Sequence, residues 1–265
     1  MTDRRNFIKK VTAGFTAITL SDNSIGFLSK SKADTNDKQD EIMAGPDKTF
    51  LEHCAFVSID FQPSSYHTIT EEQMPKSWLS MGKKAEDVNS ANRYLVETAL
   101  PNACRVAIAC RIAKLPMIFV HWGYLFRDGM DLDPVIYNSF IKEFGTDTTK
   151  WPHHISDKSS KPADELSVHE GEYVIPKTSQ DAFPSSNIGY VLQNLNIKNI
   201  VFVGGHTGAC LGKSAKSAIR LGYKTLCVKD ATWDAFTSTH MENLNATGYH
   251  YIMTTSDFEK FIRKS

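Results

Sequence analysis

Six short apolar runs, separated by stretches of helical periodicity, set most of what this chain can fold into. The runs fall near residues 54–60, 115–121, 172–177, 199–204, 224–229 and 249–254. Helices are expected near 88–114, 186–195, 210–221 and 239–247. Strands that alternate with helices predict an α/β fold, a mostly parallel six-stranded sheet with helices on both faces and right-handed crossovers. The 265 residues are 41% apolar, enough for a full core. Two connections are longer than usual, Phe61 to Asp87 and Tyr124 to Gly171. Long ordered connections tend to be lids, binding loops or subunit contacts.

Three of the runs end in reactive side chains. Asn199-Ile-Val-Phe-Val-Gly-Gly-His-Thr-Gly-Ala-Cys210 is a strand, a turn and then a cysteine opening a helix, whose apolar face carries Leu211, Ala215, Ala218 and Ile219. A thiol on a first helical turn lies near unpaired N–H groups and the positive end of the dipole, which lowers its pKa. Packing as a small buried hydrophobe is the plain alternative. The run from Cys54 ends in Asp60, and Glu172-Tyr-Val-Ile-Pro-Lys177 ends in an ammonium. Alone, Asp60 reads as a turn or cap residue and Lys177 as a solvated charge. In parallel α/β sheets, however, ligands bind outside the carboxyl ends of the strands, where all three would converge.

With Ile59-Asp60-Phe-Gln62, Pro176-Lys177 followed by Asp181-Ala-Phe183, Gly204-Gly-His-Thr-Gly-Ala-Cys210 and Val228-Lys-Asp-Ala231, the chain resembles the isochorismatase-like cysteine hydrolases. That family includes nicotinamidases, N-carbamoylsarcosine amidohydrolases and ureidohydrolases. The resemblance runs over about residues 50 to 258 and implies a three-layer, Rossmann-like arrangement. It implies Cys210 as nucleophile, Asp60 as general acid and base, and Lys177 as the charge between them. It also implies a cis peptide at Gly205–His206, with the N–H groups of His206 and Cys210 as an oxyanion hole. The reaction implied is cleavage of a C–N bond in a small amide, carbamoyl or ureido compound, through a thioester and with release of ammonia.

Gln62, Trp122, Tyr124, Trp151 and Phe183 are the candidate pocket residues, with Trp78 and Phe126 as further aromatic surface; any of these aromatics also reads as core. Cys210 argues against the vinyl-ether chemistry of isochorismatases proper. Nicotinamidases hold a metal with an Asp-x-His pair, but Phe61-Gln-Pro-Ser-Ser-Tyr-His67 contains none, and His121 alone makes no site. The adjacent His153 and His154 read as solvated or substrate-facing. No metal or other cofactor is therefore expected. The turn resembles the ureido and carbamoyl branch, but Gly208-Ala209 departs from it, because bulkier residues are common there. His206 reads equally as a substrate contact or as an N–H donor. A binding or redox-sensing protein on the same fold, or a hydrolase of esters or lactams, stays open.

The N-terminus carries a separate message. Asp3-Arg-Arg-Asn-Phe-Ile-Lys-Lys10 matches a twin-arginine export signal, with an apolar stretch over 11–20 and a small-residue site at Ser31-Lys-Ala33. An amphipathic helix or a basic tail is the alternative. The expected organisation is an export signal at 1–33, a polar linker at 34–47 and a hydrolase domain at 48–265. It implies passage through the twin-arginine translocation machinery to the periplasm. With 30 basic and 30 acidic side chains, nothing favours nucleic acid, and no later segment is apolar enough to cross a membrane. The expected partner is a small-molecule substrate, and the resemblance implies a homo-oligomer, a dimer or tetramer. Five cysteines is an odd count. Cys54 and Cys227 lie in strand-like runs and Cys104 and Cys110 in a helical one, so they read as core residues without disulfides.

Overall fold

A computed structural model describes residues 45–63, 68–74 and 76–264. The expected export segment 1–33 and residues 34–44 of the expected linker lie outside the described residues. The strands are β1 (Cys54–Ile59), β2 (Met117–Trp122), β3 (Tyr173–Lys177), β4 (Asn199–Gly205), β5 (Lys224–Trp233) and β6 (Tyr251–Met253). They form one sheet in the order β3-β2-β1-β4-β5-β6, and every pair is parallel. β1, β2 and β4 are buried at every residue, which is why they read as continuous apolar runs and not as alternation. β3 lies at an edge, where Pro176 leaves no internal ladder without its donor.

The helices are α1 (Lys76–Ser80), α2 (Ala85–Tyr94), α3 (Leu100–Ile112), α4 (Pro134–Phe144), α5 (Ala182–Ser185), α6 (Ile188–Asn194), α7 (Cys210–Arg220), α8 (Thr237–Asn245) and α9 (Thr255–Lys264). One face of the sheet packs on α3 and α9 through residues such as Val106, Cys110 and Phe258. The other packs on α6 and α7 through Leu192, Leu211, Ala215 and Ala218. The expected three layers and their sheet are therefore present.

The boundaries differ in instructive ways. The expected helix over 88–114 is α2 and α3 joined by a π turn, Leu95–Ala99, where the Leu100 N–H reaches back five residues to the Leu95 carbonyl. Pro101 lies directly after this turn and has no N–H with which to continue a regular ladder. The sequence reading left α4 inside a long connection. Asp133 caps it by accepting from the Val135 N–H, Pro134 starts it, and Gly145 at φ 80° ends it. It also missed α9, which Thr254 and Asp257 initiate by reciprocal hydrogen bonds.

α4 gives the 124–171 connection a small core of its own, made of Trp122, Tyr124, Leu132, Ile136, Phe140, Phe144 and Trp151. β5 runs four residues beyond the expected end, after a register shift between Phe202 and Gly204. That extension carries Trp233 to the neighbourhood of the β4 exit.

Candidate active site

Strand order reverses at β1. From it the chain builds outward through β2 to β3, then restarts on its other side with β4. A crevice outside the carboxyl ends of β1 and β4 follows from that reversal. Asp60 stands at the β1 exit with φ 54°, a left-handed conformation that aspartate tolerates better than most residues, and its N–H donates to the Val120 carbonyl. Lys177 closes β3 and is fully buried; its Nζ lies 2.8 Å from Asp60 Oδ2 and donates to the Ser179 carbonyl at 3.1 Å. Cys210 begins α7 and is 3% exposed, and the charged groups that act on its thiol are Lys177 and Asp60. The three strand-end residues therefore come together.

The backbone around Cys210 depends on close approach. Gly204 has φ 119°, and a methyl there would collide with the Ile59 backbone of β1. At Gly212, one turn into α7, a methyl would collide with the Thr207 carbonyl. The Gly205–His206 peptide is cis. The His206 carbonyl receives the N–H groups of Ala209, Leu211 and Gly212, and Cys210 is not among these donors.

Electrostatics overturn one expectation. Burial pushes the Cys210 thiol up to about 12; Lys177 lowers it, and Asp60 raises it further. The helix N-terminus does not produce a resting thiolate, because desolvation of the charged form prevails. Burial by itself would push the Lys177 ammonium down, but the charges of Asp60 and Cys210 and hydrogen bonds to both leave it raised. The resting site is thus a buried Lys–Asp ion pair against a neutral thiol.

The candidate pocket residues divide. Trp122 is at the site, its ring centroid 5.1 Å from Lys177 Nζ. Gln62 is no pocket wall: its side chain accepts from the Trp122 N–H and donates to the Trp122 carbonyl, each at 2.9 Å, and it also reaches the Ser159 carbonyl. Tyr124 and Trp151 belong to the small core around α4, their polar tips donating to the Trp151 and Gly145 carbonyls. Phe183 stacks near Tyr223, with ring centroids 6.0 Å apart. Trp78 packs on Phe236 under α2, and Phe126 is exposed. His153 and His154 are buried, not solvated, and the His154 ring bridges the Leu125 carbonyl and the Ser156 hydroxyl.

His121 lies at the β2 exit with Nδ1 buried and unpartnered. Burial lowers its pKa to about 4; Asp60 raises it and Lys161 lowers it. Among the described residues no three His, Cys, Asp or Glu side chains cluster as a metal's donor set. The sequence reading missed Asp234, whose carboxylate grips the Thr207–Gly208 turn. A second carboxylate four residues after Asp230, at the end of an apolar run, was the available signal.

A parallel α/β sheet with a cysteine, a carboxylate and a lysine at three strand exits defines a hydrolase-type site. The isochorismatase domain profile matches residues 54–257, and the chain belongs to the isochorismatase family of hydrolases. It is 25% identical over 167 residues to the ureidoacrylate amidohydrolase RutB of Pseudomonas savastanoi pv. phaseolicola, covering 56% of this chain and 61% of that protein. It is 25% identical over 142 residues to N-carbamoylsarcosine amidase of an Arthrobacter species, covering 52% of this chain and 51% of that one. A shorter stretch of 69 residues is 38% identical to the RutB of Agrobacterium fabrum, covering 26% and 30%. The matched stretches thus span less than two thirds of these relatives' own length. Among solved structures, an isochorismatase family protein from Burkholderia thailandensis superposes with a TM-score of 0.57, at 23% identity over 83% of this chain and 98% of the other. N-carbamoylsarcosine amidase from Thermoplasma acidophilum gives 0.54, at 19% identity over 76% and 96%. At these identities the superpositions establish the fold alone.

Proposed function

We propose that this protein is a cysteine amidohydrolase that cleaves a C–N bond of a small carbamoyl, ureido or amide compound and releases ammonia. The observation that carries the proposal is the buried Lys177–Asp60 ion pair whose charges act on the Cys210 thiol. A structural core has no need of such a trio, since a buried pair seldom beats apolar packing in stability. The names of the relatives favour carbamoyl and ureido compounds within that range.

The chemistry follows from the protonation states. The thiol is neutral at rest, so sulfur attacks the carbonyl carbon as its proton passes to Asp60. An S–C bond forms, the carbonyl π pair moves to oxygen, and the N–H groups of His206 and Cys210 receive that oxyanion. Asp60 then gives its proton to the nitrogen as the C–N bond breaks, and ammonia leaves. Water, deprotonated by Asp60, attacks the thioester, and the proton returns to sulfur as the S–C bond breaks. Lys177 stays charged throughout and keeps the carboxylate in place. A redox-sensing role fits less well, because sensor thiols are low in pKa and accessible.

The test is ammonia release from a panel of primary amides and ureido compounds, with Cys210→Ala alongside. Release from at least one compound, lost in the variant, is the expected result. Undiminished release by Cys210→Ala would falsify the mechanism. We extend the proposal to the setting: action in the periplasm after twin-arginine export, on the strength of Arg4-Arg5 and the apolar stretch behind them, and as a homo-oligomer, on the family resemblance alone. Replacing both arginines by lysine is expected to retain the protein in the cytoplasmic fraction.

A further inference from the structure

The turn that precedes the nucleophile hangs on one carboxylate from another strand. Asp234 follows directly on β5 and is 7% exposed. Its Oδ2 accepts from the Thr207 hydroxyl at 2.6 Å, the Gly208 N–H at 2.8 Å and the Asn243 side-chain amide at 2.9 Å; its Oδ1 accepts from the Ala235 N–H at 2.7 Å. The Thr207 N–H donates to the adjacent Trp233 carbonyl at 3.0 Å. Hydrogen bonds to an ionised acceptor are about twice as strong as neutral ones. Both peptide N–H groups between His206 and Ala209 are therefore fixed by the end of β5, while the His206 carbonyl is fixed by α7.

The same contacts explain the departure at Gly208. A methyl on Gly208 would come within 2.5 Å of the Asn243 amide and 3.2 Å of Asp234 Oδ2. In this chain the polar ends of Asp234 and Asn243 occupy the volume that a side chain at position 208 would fill. The small residue and the carboxylate clamp are one device.

We propose that Asp234 is a positioning residue for the oxyanion turn, aiming the His206 and Cys210 N–H groups by holding Thr207 and Gly208 from behind. This rests on the oxyanion role given to those groups above. Asp234 touches no reacting atom in this scheme. Its loss leaves the thiol and the Asp60–Lys177 pair as they are but lets the Thr207–Gly208 peptide rotate, so charge developing on the substrate oxygen is poorly met. Removing one oxyanion donor outright costs about 10²–10³ in kcat, so a misaimed pair is expected to cost about 10- to 100-fold.

Three readouts separate this role from a merely structural one. The first is kcat and KM on a compound the wild-type protein hydrolyses. The second is the affinity for propionaldehyde, whose carbonyl carbon takes the Cys210 sulfur to give a hemithioacetal. The thiol proton passes by way of Asp60 to the aldehyde oxygen, which becomes a hydroxyl lying in the turn and accepting from its N–H groups, with no oxidation or reduction. The third is alkylation of Cys210 by iodoacetamide at pH 9, which needs the thiol but no oxyanion hole. Asp234→Ala and Thr207→Val are expected to lower kcat and aldehyde affinity about 10- to 100-fold. KM is expected to stay within about threefold and alkylation within about twofold, and Thr207→Ser, which keeps the hydroxyl, is expected to stay near wild type. If Asp234→Ala does not fold, Asp234→Asn and Thr207→Val carry the test. Wild-type kcat and aldehyde affinity in the variants overturn the proposal, and so does alkylation that falls in step with them. If no amide is hydrolysed by the wild-type protein, aldehyde affinity alone decides. Weaker aldehyde binding in the variants then keeps the positioning role while the amidohydrolase reading fails. A wild-type protein that binds no aldehyde removes both the hole and the role.

Discussion

Cys210 shows how far a local motif can mislead about charge while being right about place. A thiol at a helix start in solvent would ionise readily, whereas the same thiol sealed against Asp60 is held up to about 12. Iodoacetamide alkylation of Cys210 is therefore expected to be slow at pH 7.5 and to climb with pH through 9 without a plateau. A plateau near neutral pH would reveal a resting thiolate and refute this picture. The ion pair beside it is equally testable. Lys177→Met leaves the buried Asp60 unpaired and is expected to cost about 3–5 kcal/mol of stability, measured by denaturant unfolding. Adding Asp60→Asn is expected to recover most of that stability and none of the turnover. A single variant as stable as wild type would mean that solvent reaches the pair.

At the scale of elements, the strands and the three reactive strand ends were legible because buried parallel strands write continuous apolar runs. α4 was not, because its start and stop signals sit inside a connection that shows no long periodicity. The candidate pocket aromatics divide for a related reason. Composition cannot distinguish a Tyr124 or Trp151 that lines a cavity from one that fills the space beneath a helix. Gln62 is the clearest case. β1 stops pairing before β2 does, and the Gln62 amide then acts as a substitute peptide, serving both the N–H and the carbonyl of Trp122. Gln62→Ala leaves two buried backbone groups unmet and is expected to cost about 1–3 kcal/mol. Gln62→Glu keeps the acceptor but turns a carboxylate oxygen toward the Trp122 and Ser159 carbonyls, so it is expected to cost at least as much. Thermal or urea unfolding measures both, and an unchanged midpoint for Gln62→Ala would return this residue to the pocket. Asp234 shows in the sequence only as a second carboxylate after an apolar run, because what it touches lies 26 residues upstream.

For the whole molecule, buried titratable groups set a window of stability. His121, His206 and His240 are all lowered by burial, so the native state binds fewer protons than the unfolded chain. Their contribution is complete above the ordinary histidine value of 6.5 and is lost as pH falls; for His121 alone, lowered to about 4, this amounts to about 3 kcal/mol. Burial raises all five thiols, so the native state holds their protons longer, and stability declines as pH rises past their ordinary value of 9.0. The raised Lys177 adds loss only at higher pH still. Melting temperature is expected to be flat between about pH 6.5 and 9 and to fall on both sides. His121→Phe should flatten the acid limb, and an acid limb unchanged by it would assign that loss to other groups.

The five unpaired cysteines, four of them buried, impose an order of events. In the extended chain each sulfur is open to any oxidant and to every other sulfur, whereas in the folded chain four of the five are covered. After folding, the interior withholds the four buried thiols from that chemistry, Cys210 among them. On the export route proposed above, a chain that folds before it leaves the cytoplasm arrives with these thiols already covered.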